Sequence, residues 1–513
     1  MTRLRVVLNN WHYWAIAFIV FNVILSAWWL IHGDIRYDVD ISRDFLLIEE
    51  MAYIKPFTLV GSHTSIGGVF HGPLWYYLNL PAFFISKGDP LLIGWFWWGL
   101  SILTLIIFYF VAKKIFNKPT AILASLLYSS NSIINPTYGL KMFFPPYGAV
   151  LLAPVFFYLF IKYVSEKKPK YLVLALLALG FIIQFEMAFG VPILVLATAF
   201  LVYFMYKNKL MKHALFFLSL FLPLATFIIF DLRHNFLQTF SLIKYLELQL
   251  QKADFDLILV SSEKIKGIFS DTFFLLTQDN RVLSWVYSVL FIVLIFKAKM
   301  KSKTKKIYLI FIYFYFGYWL IHLSLKPLWS SYYWPLLPLI IMLYAGLINY
   351  LPKKVFFLLY IPLLAWNMYI GISYIQDSKI NIAERGKNSW AFNKYIADNI
   401  YKDATEDFGY FIFTPERWVY QNWYTLKFVQ REYPDRISHP FNKQKLTYLI
   451  IVDPPWDRPD TDSMGWRITD LKITSEPIQI TNFDIVQIQK YLLTEEEIKS
   501  PTNPYLLNST FFR

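Results

Sequence analysis

Residues 34–44 read Asp-Ile-Arg-Tyr-Asp-Val-Asp-Ile-Ser-Arg-Asp, and they follow closely on the apolar run from Trp14 to Ile31. That run is long enough to cross a bilayer as a helix. A dense acidic cluster therefore stands where the chain is expected to leave the membrane. The same stretch ends at residues 64–75 with Thr-Ser-Ile-Gly-Gly-Val-Phe-His-Gly-Pro-Leu-Trp, and we expect the chemistry of the protein to lie within it.

The composition is that of a membrane protein. Of 513 residues, 57% are hydrophobic and only 16% are charged, which is typical of a chain with many membrane helices. The formal charge of +14 would suggest nucleic acid for a soluble protein, but the lysines cluster between apolar runs, where they set topology. We therefore expect the lipid bilayer, and no nucleic acid, as a partner. The absence of cysteine excludes disulfides, thiolate nucleophiles and Cys-ligated zinc.

Apolar runs bounded by charged residues predict a mainly α-helical, polytopic membrane protein with about 11 transmembrane helices. The predicted spans are 14–31, 91–112, 119–134, 147–163, 171–187, 189–206, 214–230, 282–296, 306–324, 333–350 and 354–372. No small-residue cleavage site follows the first run, so we expect it to be a retained anchor.

The basic clusters predict the orientation of these spans. With the N-terminus in the cytoplasm, all of the clusters fall on the cytoplasmic side, as the positive-inside rule requires. They are Arg3 with Arg5, Lys113 with Lys114 and Lys118, Lys162 with Lys167, Lys168 and Lys170, Lys207 with Lys209 and Lys212, the run Lys297–Lys306, and Lys353 with Lys354. This alternation requires the short apolar stretch Pro73–Ser86 to lie on the outer face as a juxtamembrane helix. Residues 32–90 then form one large outer loop.

The composition changes near residue 373, where the apolar spans end. Strand-like segments at 410–413 and 446–452, a helix over 418–430 and further short strands predict a small α/β domain. We therefore expect a transmembrane domain over residues 1–372 and an extracytoplasmic domain over residues 373–513. The second is large enough to bury a core of its own.

Two aspartates of the first outer loop, Asp40 and Asp44, are the candidates for catalysis. They are four residues apart, so on a helix they share a face. Two carboxylates so placed repel each other, which favours a proton on one of them and suits a general base. A divalent metal, magnesium or manganese, bound by the pair is an alternative. Another is an acidic helix start stabilised by the helix dipole, with Arg36 and Arg43 as solvated partners.

His71 lies between a flexible Gly67-Gly68 and an aromatic run that starts at Trp75. An interfacial loop ending in a helix-starting proline accounts for Pro73 and the aromatic residues. It does not account for the histidine, for which we consider a phosphate or metal contact.

Further candidates lie at the predicted outer ends of the spans. Cations on the outer side run against the positive-inside rule and would suit an anionic lipid headgroup. The alternative is that these long side chains simply extend from the membrane to the interface. A carboxylate at membrane depth usually faces a polar cavity, so Glu186 is predicted to act in catalysis or substrate binding. The full set of predicted substrate or lipid-phosphate contacts is His71, Arg43, Lys141, Glu186, Asp231, Arg233, His234, Tyr332 and Tyr333.

The first loop resembles that of a known class of enzymes. Asp40-Ile-Ser-Arg43-Asp44 just after the first span, then Gly61-Ser-His-Thr-Ser-Ile-Gly-Gly and His71-Gly-Pro-Leu-Trp-Tyr-Tyr, resemble the first outer loop of the GT-C membrane glycosyltransferases. The nearest are the protein-mannosyltransferase-like bacterial enzymes (glycosyltransferase family 39-like) that include the aminoarabinose transferase and the lipopolysaccharide-core galacturonosyltransferases. The resemblance is specific over residues 34–80 and continues as a topology match to about residue 372.

This resemblance implies a GT-C fold with juxtamembrane helices in the first loop and an outer C-terminal domain. It also implies inverting transfer of a sugar from a polyprenyl-phosphate donor to a lipid, glycan or protein acceptor at the outer face of the cytoplasmic membrane. The acidic positions of the family fall on Asp40 and Asp44. Where the aminoarabinose transferase has a lysine before the first-loop proline, this chain has His71-Gly72, so its phosphate contact can differ.

Two functions from other classes stay open at this point. A lipid-linked saccharide transporter would also be polytopic and basic on the inside, but it should place its polar residues near the bilayer midplane on paired broken helices. A scaffold that only binds lipid carriers is the other alternative.

Overall fold

The computed structural model describes residues 11–131, 144–251, 274–278, 280–297, 300–322, 330–376, 379–415, 418–454 and 462–506. Within these ranges the chain is mainly α-helical and carries one five-stranded sheet near its C-terminus. The predicted fold class is therefore confirmed.

The described helices of ten residues or more are, in chain order, α1 (Trp11–Leu25), α2 (Val39–Tyr53), α3 (Leu74–Ser86), α4 (Pro90–Ile115), α5 (Lys118–Ser130), α6 (Pro146–Glu166), α7 (Pro169–Phe185), α8 (Met187–Lys207), α9 (Phe221–Arg233), α10 (Leu237–Gln251), α11 (Arg281–Lys297), α12 (Ser302–His322), α13 (Leu337–Gly346), α14 (Lys353–Gln376), α15 (Trp390–Asp403) and α16 (Tyr420–Val429). Two 3₁₀ segments, Met211–Leu220 and Ser330–Leu336, lead into α9 and α13.

Six helical stretches within the described residues are long and apolar enough to cross a membrane. They are Pro90–Ile115, Pro146–Glu166, Met187–Lys207, Met211–Arg233, Ser331–Asn349 and Lys353–Gln376, and the apolar helices Trp11–Leu25 and Pro169–Phe185 are shorter. The predicted multi-pass character is confirmed, whereas the number of eleven spans and their sidedness stay predictions. Helix α3 covers nearly all of the stretch predicted to be juxtamembrane.

The first helix ends before the end of the apolar run that predicts it. Helix α1 ends at Leu25, and a turn separates it from the short helix Trp28–Ile31. Ser26 lies in this turn, where its hydroxyl donates to the carbonyl oxygen of Val23 and accepts from Trp98 Nε1 at 2.8 Å. A serine that bonds its local backbone competes with helix continuation, so the helix stops although the apolar residues continue.

The described chain forms two compact units. The first comprises Met1–Trp28, Thr58–Leu78 and Trp97–Gln376, and the second comprises Trp29–Phe57, Asn79–Phe96 and Asp377–Arg513. Helix α2 of the first loop thus belongs to the same unit as the C-terminal α/β domain.

The C-terminal sheet has the order β2-β1-β3-β5-β4. Its strands are β1 (Phe408–Phe413), β2 (Ser438–Pro440), β3 (Leu446–Val452), β4 (Gln479–Phe483) and β5 (Val486–Leu492). Strand β1 runs parallel to β2 and β3, and β5 runs antiparallel to β3 and β4. The apolar runs of β1 and β3 are buried almost throughout, as expected of central strands covered on both faces. The predicted α/β fold of the C-terminal region is thus confirmed, whereas the domain bounds of 1–372 and 373–513 stay predictions.

Glu497 stabilises the end of this domain through a dense set of hydrogen bonds. Its Oε1 accepts from the backbone N–H groups of Thr474 and Ser475, each at 2.8 Å, and its Oε2 accepts from Ser475 Oγ at 2.7 Å and Thr494 N at 3.0 Å. Burial alone would raise the pKa of Glu497, but these bonds outweigh it and lower the pKa to about 2.

We expect Glu497→Gln to destabilise the C-terminal domain by roughly 3 kcal/mol at neutral pH. Because the folded pKa lies below the unfolded value of 4.5, this stability is present above about pH 4.5 and is lost as the pH falls towards 2. Hydrogen exchange of β3 and β5 in the full-length protein measures it. Glu495→Gln, at an exposed carboxylate of the same turn, is the matched control. A difference between variant and wild type that does not shrink on acidification would contradict this assignment.

Candidate active site

Asp38 starts helix α2. Its Oδ1 accepts from the N–H of Ile41 at 3.1 Å, and its Oδ2 accepts from Arg36 Nε at 3.1 Å. Burial is the main influence on this carboxyl, and it raises the pKa of Asp38 above its usual value. For Asp38 the structure therefore supports the alternative of an acidic helix start.

Asp40 and Asp44 lie one turn apart on α2 with Arg43 in contact with both. Arg43 Nη1 lies 2.9 Å from Asp40 Oδ1, and Arg43 Nη2 lies 3.4 Å from Asp44 Oδ1. The Asp40 side chain is 42% exposed, whereas that of Asp44 is 6% exposed. The guanidinium offsets the repulsion between the two carboxylates, and Asp40 is the more accessible of the two.

A tyrosine of the C-terminal domain belongs to the same unit as these side chains. Tyr420, the first residue of α16, is buried and lies within electrostatic reach of both Arg43 and Asp40. Burial raises the pKa of Tyr420 to about 12, so its hydroxyl is protonated at neutral pH. The sequence carries no signal for this residue, because almost four hundred positions separate it from Asp40.

The N-terminal side of this site is fixed by Asp34. Its Oδ2 accepts from Ser389 Oγ at 2.6 Å and from Arg385 Nη1 at 3.2 Å, and its Oδ1 accepts from Ala391 N at 3.0 Å. Burial raises the pKa of Asp34, and the hydrogen bonds and the arginine partly offset this rise. Asp34 thus links the first loop to the C-terminal domain within one unit.

A second anchor holds the far end of α2. The carboxylate of Glu49 pairs with Lys427 at 2.7 Å and with Arg431 at 3.4 Å. The rings of Phe45 and Tyr424 stack with their centroids 5.2 Å apart. Both contacts join α2 to α16, so the backbone that carries Asp40 is held from both ends.

The described residues do not fit a metal site at Asp40 and Asp44. The Arg43 guanidinium occupies the position between the two carboxylates, and its positive charge is paired with both of them. In the described ranges no group of three or more His, Cys, Asp or Glu side chains could hold a metal ion. We therefore derive no step through magnesium or manganese.

His71 lies in a short antiparallel ribbon of the first unit. Its N–H donates to Ser62 O at 2.9 Å, and its carbonyl accepts from Gly61 N at 2.8 Å. Next to it, Gly72 packs so closely on Gln184 that a Cβ at this position would collide with the Gln184 backbone. The ribbon is thus seated against the C-terminal end of α7, directly before Glu186.

The same ribbon is hydrogen-bonded to the segment after α9, where the sequence predicts contacts from Asp231, Arg233 and His234. Phe70 N donates to Gln238 Oε1 at 3.0 Å, and Gln238 N donates to Asp231 Oδ1 at 2.8 Å. The other oxygen of Asp231, Oδ2, accepts from Thr239 N at 3.2 Å and Thr239 Oγ1 at 2.5 Å. Asp231 therefore organises the start of α10, and any contact with substrate would compete with these bonds.

Arg233 and His234 of this segment differ in their surroundings. Arg233 is exposed. The ring of His234 stacks on Phe230 with a centroid distance of 4.2 Å, and its Nδ1 lies 2.8 Å from Phe230 O. Lys141, the remaining predicted cation, lies outside the described residues.

Glu186 separates α7 from α8 and is 1% exposed. Its Oε1 accepts from Ala188 N at 3.0 Å. His322 of α12, which the sequence did not single out, contacts the same residue: its Nε2 lies 3.2 Å from Ala188 O.

The predicted tyrosines lie on the segment before α13. Tyr332 O accepts from the Tyr318 hydroxyl at 3.0 Å, and the buried ring of Tyr333 packs on that of Trp319 with a centroid distance of 5.1 Å.

Comparisons with known proteins give one family-model match and similar solved structures. Residues 84–230 match the family model described as dolichyl-phosphate-mannose-protein mannosyltransferase. The chain is similar to the crystal structure of ArnT from Cupriavidus metallidurans bound to undecaprenyl phosphate, with a TM-score of 0.59 and 12% identity over 95% of this chain and 99% of that chain. The apo form of the same ArnT gives a TM-score of 0.56 at 12% identity over 93% and 97%. A comparison with curated proteins gave no match.

The chain therefore has the GT-C fold of membrane glycosyltransferases. The match to the mannosyltransferase family model over residues 84–230 agrees with this fold and with the family that the first loop resembles. The chain is thus a multi-pass membrane protein with a GT-C fold.

Proposed function

We propose that this protein transfers a sugar from a polyprenyl-phosphate donor to a hydroxyl group of an acceptor at the outer face of the cytoplasmic membrane. The observation that carries the proposal is the half-exposed carboxylate of Asp40, held by Arg43 on a helix that is anchored at both ends, in a chain with the GT-C fold. A rigidly held carboxylate that substrate can reach is what a general base requires.

The reaction is a displacement at the anomeric carbon. The acceptor oxygen attacks C1 of the sugar, and the bond from C1 to the phosphate oxygen breaks with its electron pair remaining on the phosphate. The hydroxyl proton passes to Asp40. Because the nucleophile enters opposite to the leaving group, the anomeric configuration inverts.

Arg43 and Asp44 position this base. Arg43 contacts both carboxylates, and its own side chain is only 11% exposed, so it fixes the direction of the Asp40 carboxylate. Tyr420 of α16 belongs to the same unit and lies within electrostatic reach of Arg43 and Asp40. We assign the acceptor end of the reaction to this group.

The leaving phosphate needs cationic contacts because negative charge develops on its oxygens. We assign this role to His71 and Arg233, with Lys141 and His234 as further contacts. His71 and Arg233 belong to segments joined by the Phe70 to Gln238 and Gln238 to Asp231 hydrogen bonds. The family model names dolichyl-phosphate mannose, and the similar ArnT structure contains undecaprenyl phosphate, which supports a polyprenyl-phosphate donor for this chain.

A reconstituted transfer assay tests the proposal. Purified protein in liposomes is given undecaprenyl phosphate carrying labelled mannose, glucose or aminoarabinose, together with a membrane extract as the source of acceptor. We expect label to leave the carrier and undecaprenyl phosphate to accumulate in proportion. Movement of an intact labelled donor across the bilayer with no transfer product would favour a transporter. Donor binding with neither movement nor transfer would favour a scaffold.

A further inference from the structure

Two buried acceptor groups converge on one residue at the junction of α7 and α8. Glu186 Oε1 accepts from Ala188 N, which leaves Oε2 buried with no hydrogen-bond partner among the described residues. His322, only 6% exposed, contacts Ala188 O through Nε2, and its Nδ1 is buried and equally lacks a partner within the described ranges. Ala188 thus holds one side chain by its N–H and the other by its carbonyl.

The hydrogen bond to Ala188 decides which nitrogen of His322 carries the proton. A carbonyl oxygen only accepts, so Nε2 must be the donor. A neutral imidazole then presents Nδ1 as an acceptor, and the carboxylate oxygen of Glu186 is also an acceptor. A buried polar atom without a partner is costly, and two such acceptors on side chains that both contact Ala188 indicate a ligand that brings donors.

The surroundings of the pair are aromatic. The ring of Tyr318 lies 4.4 Å from that of His322 and 5.5 Å from that of Phe189, and the Tyr318 hydroxyl is already used in its bond to Tyr332 O. Ligand sites commonly combine apolar and aromatic walls with a few polar groups that fix orientation. A sugar supplies both several hydroxyl donors and apolar C–H faces, whereas a phosphodiester offers only acceptors.

We propose that Glu186 and His322 bind hydroxyl groups of the donor sugar, and this inference rests on the proposed function. Glu186 Oε2 and His322 Nδ1 each accept a hydrogen bond from a different hydroxyl, with the Tyr318 ring as one wall. The pair therefore acts in sugar recognition and is separate from the groups that contact the lipid phosphate.

Binding of donors with and without a sugar tests this assignment. Glu186→Gln keeps a side-chain oxygen for Ala188 N but turns the free acceptor into an N–H₂ donor, and His322→Phe removes Nδ1. For each variant we expect the Kd of the undecaprenyl-phosphate-linked sugar that the wild type transfers to rise about 10- to 100-fold, with the Kd of undecaprenyl phosphate itself unchanged. Tyr308→Phe is the matched control, because it deletes a buried hydrogen bond of the same helix, to Leu343 O at 2.8 Å, and should change neither Kd.

The outcomes separate this inference from the proposed function. Equal weakening of both ligands, accompanied by a lower melting temperature, would mean a structural role and overturn it. Unchanged binding of both ligands would overturn it as well, and so would donor binding by the wild type that disappears with a chelator, since the pair would then hold a cation. A wild type that binds undecaprenyl phosphate but neither binds nor transfers any sugar-bearing donor would overturn the proposed function and this inference together.

Discussion

Replacement of Asp40 by asparagine is expected to reduce sugar transfer by about 10²- to 10⁴-fold, the usual contribution of a general base. The amide has nearly the same shape and keeps an oxygen for Arg43 Nη1, which lies 2.9 Å from Asp40 Oδ1 in the wild type, but it cannot accept a proton. Because the side chain is 42% exposed, the substitution leaves no buried group unsatisfied. We therefore expect expression and the melting temperature to stay close to those of the wild type.

Single-turnover transfer from a labelled donor measures the effect on chemistry separately from product release. Asp435→Asn is the matched control, because Asp435 is an exposed carboxylate of the same unit that also pairs with a neighbouring arginine, Arg436, at 3.2 Å. It should transfer at the wild-type rate. If Asp40→Asn retained half of the wild-type activity, Asp40 would not be the base.

Replacement of Arg385 by methionine is expected to destabilise the second unit by about 3 to 5 kcal/mol. The Arg385 side chain is 6% exposed and pairs with Asp34, whose side chain is fully buried. Removing the arginine leaves a buried carboxylate with hydrogen bonds but no counter-charge. The loss should be largest near Ser389 and Ala391, which contact Asp34 directly, and hydrogen exchange of that segment in the full-length protein measures it.

The pH dependence of this variant gives a second measurement. Burial already raises the pKa of Asp34, and loss of Arg385 raises it further. A folded pKa above the unfolded value means that the folded state binds more protons, so the variant should regain stability as the pH falls through the folded pKa of Asp34. In the double variant Asp34→Asn/Arg385→Met the defect should be smaller and nearly independent of pH. Lys499→Met, in an exposed pair with Glu495, is the control that should have almost no effect.

The four aspartates of the first loop show how far sequence reasoning reaches. Their spacing indicates that, on a helix, Asp40 and Asp44 share a face one turn apart, and α2 is such a helix. Spacing could not separate the roles of the four, because these depend on partners far away in the chain. Asp34 is hydrogen-bonded to Ser389 and Arg385, and Asp38 caps the start of α2. Asp44 is buried, so Asp40 is the accessible one of the four.

The predicted binding residues of the first unit illustrate the same limit. The carboxylate of Asp231 is occupied by Gln238 and Thr239, a use that depends on the tight turn between α9 and α10. The sequence indicates Glu186, because a carboxylate among apolar residues is unusual. It does not indicate His322, because a histidine at the end of an apolar helix has no distinguishing pattern. Only the fold shows that His322 and Glu186 both contact Ala188.

The sequence by itself determined that this is a multi-pass helical membrane protein with a C-terminal α/β domain and that its first polar loop resembles that of GT-C glycosyltransferases. These properties follow from apolar run length, strand patterning and short-range motifs, all of which are local along the chain. The tertiary structure decided which carboxylate is exposed and that helix α2, which carries it, belongs to the same unit as the C-terminal domain. Burial and pairing of charged groups depend on contacts between distant segments, and no local pattern encodes them.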